Sequence, residues 1–166
     1  MFSFVIAYSG GLDSHVLLHS MSEWRAQNPD IKLQAVYVNH QLNSLSDEWE
    51  KHCEKTCKQL NIPIHIEKIT LNLKPGDSLE EQARLARYAA LKKYTDHKTI
   101  LLTAHNLNDQ AETFLLQALR GAGLKGLSAM PAVKKFGNSF LVRPLLSFSR
   151  DSLENYAREN NLKWIE

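Results

Sequence analysis

Runs of apolar residues alternate along this chain with segments in which apolar residues recur every three or four positions. Most of the runs are rich in β-branched or aliphatic residues and lack strict alternation, which is typical of strands covered on both faces. The runs predict strands over residues 2–8, 32–39, 63–69 and 99–104. The periodic segments predict helices over residues 13–27, 46–60, 78–96, 108–120 and 149–161.

This alternation predicts an α/β fold: a doubly wound, mostly parallel five-stranded sheet with helices on both faces, similar to a Rossmann fold. The fifth strand is expected within residues 134–142, as a short strand or a hairpin. We expect one domain over residues 1–145. Residues 146–166 are expected to form a C-terminal helix and the start of a further extended segment. Ligands of such sheets bind outside the carboxyl ends of the strands, at a switch point of strand order.

The loop Ser9-Gly10-Gly11-Leu12-Asp13-Ser14 joins the first predicted strand to the first predicted helix. Its two glycines have no Cβ, so the backbone can turn tightly and approach a ligand closely. The N–H groups and the dipole of the helix N-terminus favour an anion at the same place. The serines add hydroxyl donors, and Asp13 offers a carboxylate to Mg²⁺. The loop predicts a polyphosphate site; the alternative is an ordinary Gly-Gly turn capped by serines.

The spacing of this loop differs from both the Walker A loop and the Gly-x-Gly-x-x-Gly fingerprint. It resembles the PP-loop of the N-type ATP pyrophosphatases, which grip the β- and γ-phosphates of ATP and cleave it to AMP and pyrophosphate. The resemblance implies that residues 9–14 bind ATP. It extends the binding site to the ends of the first two strands, at Ala7, Val38 and Asn39.

Two other predicted helices carry like-charged pairs three residues apart. Asp109 and Glu112 stand near a helix N-terminus, a position that suits Mg²⁺ or an ammonium held by carboxylates but equally suits helix capping. Arg84 and Arg87, on the preceding helix, form a fork that suits phosphate or carboxylate. The alternative for the arginines is a solvated helix face.

The composition limits the classes of protein to which this chain can belong. The chain has 166 residues and 43% hydrophobic residues, which supports one domain with a sizeable core. It shows no signal peptide and no apolar stretch that could span a membrane, so we expect a soluble cytoplasmic protein. Residues 120–166 carry eight basic against four acidic residues, which is compatible with a nucleic-acid partner. Cys53 and Cys57, four positions apart, are expected to be buried apolar residues rather than a redox or metal pair.

An ordered set of motifs makes the resemblance more specific. Besides the PP-loop, the set comprises Val-Asn-His at 38–40, Glu-x-x-Ala-Arg-x-x-Arg-Tyr at 80–88, Ala-His-x-x-x-Asp-Gln-Ala-Glu-Thr at 104–113, Arg-Gly-x-Gly-x-x-Gly-Leu at 120–127 and Arg-Pro-Leu at 143–145. Over essentially the whole chain, this set resembles the tRNA(Ile)-lysidine synthetase family. The chain departs from the family in one place: His105-Asn106-Leu107-Asn108-Asp109 stands where the family often has His-His-x-Asp-Asp.

The resemblance implies an ATP-dependent ligase that joins L-lysine to C2 of the wobble cytidine of an isoleucine tRNA with a CAU anticodon. ATP is the co-substrate, Mg²⁺ is bound by Asp13, and the full protein continues beyond this domain. Arg84, Arg87 and Arg143 would neutralise charge at the α-phosphate or the adenylated base. His105 or Asp109 would accept a proton from the lysine ammonium, and Asp109 with Glu112 is the alternative holder of that lysine. The oligomeric state stays open, with a homodimer as one option.

Three other functions stay open on the sequence. Another PP-loop tRNA-modifying enzyme, such as a thiolase, shares the loop, although thiolases of the 2-thiocytidine type use paired Cys-x-x-Cys motifs that this chain lacks. The amides at Asn106 and Asn108 keep open a nucleotide-binding module without catalysis. A protein that binds nucleic acid alone is disfavoured by a net charge of only +2.

Overall fold

The computed structural model describes residues 3–41, 45–71, 74 and 76–165, with the backbone alone at 124 and 125. Five strands and five helices fall where the sequence predicts strand and helix. The strands are β1 (Ser3–Ala7), β2 (Lys32–Asn39), β3 (Ile64–Lys68), β4 (Thr99–Leu102), β5 (Val133–Phe136) and β6 (Ser139–Val142). The helices are α1 (Leu12–Gln27), α2 (Ser46–Gln59), α3 (Leu79–Lys92), α4 (Leu107–Leu119), α5 (Leu124–Leu127) and α6 (Arg150–Glu159).

The α/β fold with helices on both faces of a mostly parallel sheet is confirmed. Within the described residues the sheet has six strands, in the order β3-β2-β1-β4-β6-β5, and β5 alone is antiparallel to its neighbour. The prediction of five strands was wrong by one because residues 134–142 form a hairpin, whose turn at Gly137 has φ +59°. Residue 2 of the first predicted strand lies outside the described residues.

Two apolar cores lie on opposite faces of the sheet. Alternate strand residues point to opposite faces, so Ile6 packs beneath α1, α2 and α6 while its neighbour Val5 packs beneath α3. Leu153 and Ala157 of α6 belong to the same core as α1. The boundary predicted at residue 145 stays a prediction.

The chain order of the strands places a switch point between β1 and β4. From β1 the chain moves outward through β2 to β3, then crosses back so that β4 pairs with the other side of β1. The loops that follow β1 and β4 therefore lead away in opposite directions and leave a crevice between them.

Helix α4 differs from the other long helices. None of its residues is buried, and its apolar side chains are exposed, up to 86% at Leu119. The apolar stripe that its sequence shows therefore does not enter either core. Among the described residues, no helix is long and apolar enough to cross a membrane.

Candidate nucleotide-binding site

A cavity of about 830 Å³ opens at the carboxyl ends of β1, β2 and β4. The loops that follow these three strands all contribute to it, through residues from 9–14, 39–41 and 103–109. The cavity is also lined by Arg87 and Tyr88 of α3, by Arg150 of α6, and by Trp164 and Ile165. A cavity of this size suits a nucleotide together with part of a second substrate.

The loop between β1 and α1 is closed by its own hydrogen bonds. The Ser14 hydroxyl donates to the Gly11 carbonyl at 3.0 Å, and the Ser9 N–H donates to Ser14 Oγ at 3.2 Å. The two serine hydroxyls lie 3.0 Å apart. Helix α1 begins at Leu12, and its N-cap residue, Gly11, has no side chain that could accept a hydrogen bond. No side-chain cap therefore uses the N–H groups of the first turn, and they can donate to a ligand. This arrangement is the anion site expected at a helix N-terminus.

Gly10 is the one residue of the loop whose conformation requires glycine. Its φ is +82°, and a Cβ built there would lie 2.5 Å from Ile165 Cδ1 and 3.0 Å from Cys53 Sγ. The Ile165 N–H also donates to the Gly10 carbonyl at 3.0 Å, and Ile165 forms a parallel bridge with Gly11. The loop is thus held in shape from behind by α2 and by the C-terminal segment.

One carboxylate oxygen of Asp13 lies near a guanidinium group, and the other has no hydrogen bond of ordinary geometry among the described residues. Its Oδ2 lies 3.7 Å from Arg150 Nη1, while Oδ1 is buried and has no hydrogen bond of ordinary geometry within the described residues. Burial raises the pKa of Asp13, opposed by the Arg150 charge and by the Asn106 side chain. An orphaned buried carboxylate oxygen beside a phosphate loop fits a hard cation. The described residues hold no cluster of three or more metal-ligating side chains, so phosphate and water would complete the coordination.

The end of β2 forms part of the cavity wall. Ala7 and Val38 line the cavity. The Asn39 side chain is used internally, because its Nδ2 donates to Glu50 Oε2 at 3.2 Å and its Oδ1 accepts from the Gln41 N–H at 2.8 Å. Next to it, burial and the Arg87 charge lower the pKa of His40. Asn39 therefore shapes the wall rather than offering its amide to a ligand.

The loop after β4 contributes a partly buried histidine to the cavity wall. His105 lines the cavity, and its Nδ1 lies 2.9 Å from Thr103 Oγ1. Burial, reinforced by the Arg143 charge, lowers the pKa of His105. A neutral imidazole at neutral pH is able to accept a proton.

The two asparagines at the start of α4 have structural partners. Asn106 Oδ1 accepts from the Asn108 and Asp109 N–H groups, and the Asn106 N–H donates to Asp109 Oδ2 at 2.9 Å, which completes a capping box. Asn108 Oδ1 accepts from the Arg150 N–H at 3.1 Å, so it caps the start of α6. Asp109 combines this capping role with a place on the cavity wall.

The remaining predicted site residues do not all reach the cavity. Arg87 lines it, whereas Arg84 points elsewhere, is half exposed, and lies 3.7 Å from Glu81. Glu112 is exposed on α4 and is absent from the cavity wall. Arg143 is buried at the end of β6, next to the cavity residues that follow β4. The predicted pairs Arg84/Arg87 and Asp109/Glu112 are thus each split, with one member at the cavity.

Sequence reasoning missed the residues that α6 and the C-terminal segment contribute. Arg150 comes to Asp13 from 137 positions away, and Trp164 with Ile165 comes from still further along the chain. The available signal was Ser149, which caps α6 through the Ser152 N–H and so places Arg150 in the first turn.

Cys53 and Cys57 are buried in the core as expected, and burial raises the pKa of both thiols.

The cavity at the switch point of this mostly parallel sheet is lined by the Ser-Gly-Gly-Leu-Asp-Ser loop and by the start of a helix that has no side-chain cap. These features define a nucleotide-binding protein of the PP-loop type. Comparison with known proteins agrees: residues 2–166 match the model of the PP-loop domain family. The chain belongs to that family, and membership implies a site for ATP.

The chain is also similar to several enzymes called tRNA(Ile)-lysidine synthase. It is 56% identical over 164 residues to that of Coxiella burnetii, 48% to that of Enterobacter sp. strain 638, and 44% to that of Escherichia coli O157:H7. These matches cover 98–99% of this chain but only 36–38% of each relative. The chain thus spans little more than a third of the length of these relatives.

A solved structure shares the fold. The U34-tRNA thiolase NcsA from Methanococcus maripaludis, solved with its [4Fe-4S] cluster, superposes with a TM-score of 0.83. The match covers 99% of this chain and 59% of the thiolase, at 21% identity. At this low sequence identity, the likeness supports the PP-loop fold but gives no information about the reaction.

Proposed function

We propose that this domain performs the ATP-dependent chemistry of a tRNA(Ile)-lysidine synthetase, joining L-lysine to C2 of the wobble cytidine of tRNA(Ile) with a CAU anticodon. The observation that carries the proposal is one cavity lined by the PP-loop, by Asp13, whose buried Oδ1 has no hydrogen bond of ordinary geometry among the described residues, and by His105. The similarity to lysidine synthases over nearly the whole chain supports the choice of substrates.

In the first step, the O2 atom of cytosine attacks the α-phosphorus of ATP, and the bond to the β-phosphate breaks. The leaving pyrophosphate develops negative charge, which the N–H groups of residues 9–14 and of the first turn of α1 would stabilise. Asp13 is the residue that would hold Mg²⁺, which supplies electrostatic stabilisation to the phosphates when bound. Arg87, which lines the same cavity, would neutralise charge at the α-phosphate.

In the second step, the ε-amine of lysine attacks C2 of the adenylated cytosine, and AMP leaves. The amine must first lose the proton of its ammonium form. His105 suits this task because its lowered pKa keeps it neutral, whereas one oxygen of Asp109 is engaged by the Asn106 N–H. We therefore assign proton acceptance to His105 and an electrostatic hold on the lysine ammonium to Asp109.

The test replaces the matched segment of the Escherichia coli O157:H7 relative with this chain, because the chain alone covers 37% of that relative. The chimaera is incubated with ATP, labelled lysine and tRNA(Ile) bearing a CAU anticodon. Incorporation of label that requires ATP supports the proposal. Incorporation without ATP would refute the adenylation route. ATP binding without pyrophosphate release would favour a non-catalytic nucleotide-binding module.

His105→Gln in the same chimaera separates the two steps. Pyrophosphate release should persist because the first step needs no base at this position, while lysine incorporation should fall by roughly 100-fold or more. Equal loss of both steps would contradict the assignment of His105 as the proton acceptor.

A further inference from the structure

Arg150 stands where a positive charge is locally unfavourable. It is the first residue of α6, and the N-terminus of a helix favours negative charge. Among the described residues, the carboxylate within ion-pair distance is that of Asp13, whose Oδ2 lies 3.7 Å from Arg150 Nη1. An ion pair of this length, with the arginine side chain 53% exposed, contributes little to stability. The described contacts therefore do not explain why a guanidinium is held at this place.

The backbone of Arg150 is fixed, whereas its side chain is not. The Arg150 N–H donates to Asn108 Oδ1 at 3.1 Å, and Ser149 caps the same turn by accepting from the Ser152 N–H at 3.2 Å. No hydrogen bond from the guanidinium to another described residue accompanies the ion pair with Asp13. A guanidinium that is anchored through its backbone and free at its tip can take up a ligand from the cavity that it lines.

The acidic side chains beside the PP-loop make a cation useful there. Asp13 lies in the first turn of α1, and Asp109 lines the same cavity. Burial raises the pKa of Asp13, the Arg150 charge opposes this effect, and the charges of Asp109 and Glu154 add to it. A pyrophosphate group brings further negative charge next to these carboxylates, and like charges at such short distances repel one another. A guanidinium beside Asp13 reduces this repulsion.

Two arginines line the cavity, and their charges act on different parts of it. Burial lowers the pKa of His40 and His105, and the Arg87 charge adds to this effect at both. These histidines follow β2 and β4, whereas Arg150 lies beside Asp13 of the PP-loop. Of the two arginines, Arg150 is therefore the one that can serve an anion bound at the PP-loop.

We propose that Arg150 is a phosphate-binding residue of the PP-loop site, whose guanidinium leaves Asp13 for the pyrophosphate portion of a nucleoside triphosphate when that ligand binds. Asp13 thereby becomes free to hold Mg²⁺. Arginine suits this exchange because its planar fork donates two parallel hydrogen bonds to one phosphate. The inference rests on the part of the proposed function that places pyrophosphate at the PP-loop, and it involves neither lysine nor tRNA.

The experiment measures the binding of sodium pyrophosphate and of adenosine to this chain without Mg²⁺, so that the metal makes no contribution. Arg150→Gln should bind pyrophosphate roughly 10- to 100-fold more weakly, because a charged contact is lost, and should bind adenosine unchanged. Arg158→Gln is the matched control, because Arg158 also lies on α6 and pairs with a carboxylate, that of Glu154 at 3.1 Å, but is absent from the cavity wall. It should bind both probes like the unaltered chain.

Two further variants separate contact with the phosphate from an effect through Asp13. Asp13→Asn removes a negative charge from the site, so without Mg²⁺ it should bind pyrophosphate more tightly than the unaltered chain. Adding Arg150→Gln to Asp13→Asn should again weaken pyrophosphate binding roughly 10- to 100-fold. A loss that appears only while Asp13 is intact would mean that Arg150 acts through that carboxylate alone, which overturns the proposal.

Other outcomes distinguish this inference from the proposed function. Unchanged pyrophosphate binding by Arg150→Gln, or an equal loss of adenosine binding, overturns the inference alone. An unaltered chain that binds no pyrophosphate overturns the PP-loop site on which both depend. Pyrophosphate binding that depends on Arg150, in a chimaera that incorporates no lysine, supports the inference and refutes the proposed reaction.

Three measurements guard against a variant that fails to fold. Arg150→Gln keeps the backbone N–H that donates to Asn108, so its urea midpoint should equal that of Arg158→Gln. Arg150→Lys keeps the charge but loses the fork, and it should recover part of the lost pyrophosphate affinity. In the unaltered chain, the NMR signal of the Arg150 Nε–H should shift with pyrophosphate and stay in place with adenosine. A signal that does not respond to pyrophosphate overturns the proposal.

Discussion

Gly10→Ala is the substitution that tests the described packing of the PP-loop most directly. At a φ of +82°, alanine adopts a left-handed conformation that costs about 1–2 kcal/mol. Its Cβ would also lie 2.5 Å from Ile165 Cδ1 and 3.0 Å from Cys53 Sγ, and overpacking of this kind costs about 1–3 kcal/mol. We therefore expect the free energy of unfolding to fall by about 2–5 kcal/mol, a large part of the total for a domain of this size.

Urea denaturation of three alanine variants separates the two contributions. Gly121 has a φ of +70° but nothing within 4 Å of its Cβ position, so Gly121→Ala should show the backbone cost alone. Gly11→Ala, where the nearest atom would be 3.7 Å away and φ is −72°, should be close to neutral for stability. Ile165→Ala combined with Gly10→Ala should recover about 1 kcal/mol or more relative to the sum of the single effects.

Equal destabilisation by Gly10→Ala and Gly121→Ala would refute the packing of Ile165 behind the loop. A fully additive double variant would do the same. ATP binding, measured on each folded variant, adds a second readout: Gly11→Ala should weaken it despite its stability, because the added methyl group would lie beside Ser9 Oγ in the phosphate loop.

Three further predictions concern the titratable and capping residues. Burial lowers the pKa of His15 from 6.5 to about 4, so between these pH values the histidine is protonated in the unfolded chain but still neutral in the folded one. The free energy of unfolding should therefore fall by about 3 kcal/mol as the pH drops from 6.5 to 4. Urea titrations across this range should show a smaller pH dependence of that free energy for His15→Asn. Because burial raises the pKa of Asp13, Asp13→Asn should raise the free energy of unfolding at pH 7 while abolishing Mg²⁺-dependent pyrophosphate release in the chimaera; a less stable variant would contradict this. Asn106→Ala should cost about 1–2 kcal/mol by calorimetry, because it removes the acceptor for the Asn108 and Asp109 N–H groups; an unchanged stability would contradict this capping role.

The sequence predicted the elements well where a single periodicity dominates. Strand β2 spans the predicted residues, the bounds of α1 and α2 differ from the prediction by one residue at one end, and those of α4 differ by one residue at each end. The hairpin of β5 and β6 was harder because a short segment of mixed polarity does not reveal its turn. Helix α3 ends at Lys92, four residues before the predicted end, because Tyr94 and Lys93 turn toward Glu67 of β3.

The site was predictable as far as its motifs are local. The PP-loop and the loop after β4 were placed correctly because each joins a strand end to a helix start. The roles of single residues within a motif were less predictable. Arg84 and Arg87 are the same residue type three positions apart on α3, and only Arg87 lines the cavity. Arg150 and Trp164 could not be found at all from spacing, because their place at the cavity depends on how α6 packs against α1.

The bridge between Gly11 and Ile165 has a consequence for the order in which the domain is made. The phosphate loop is synthesised long before the side chain that packs behind Gly10, which belongs to residue 165. Until that segment is synthesised and docked, the loop has only Cys53 of these two neighbours behind it. The nascent domain therefore completes the support of its phosphate loop only after residue 165 has docked, although the loop itself is made much earlier.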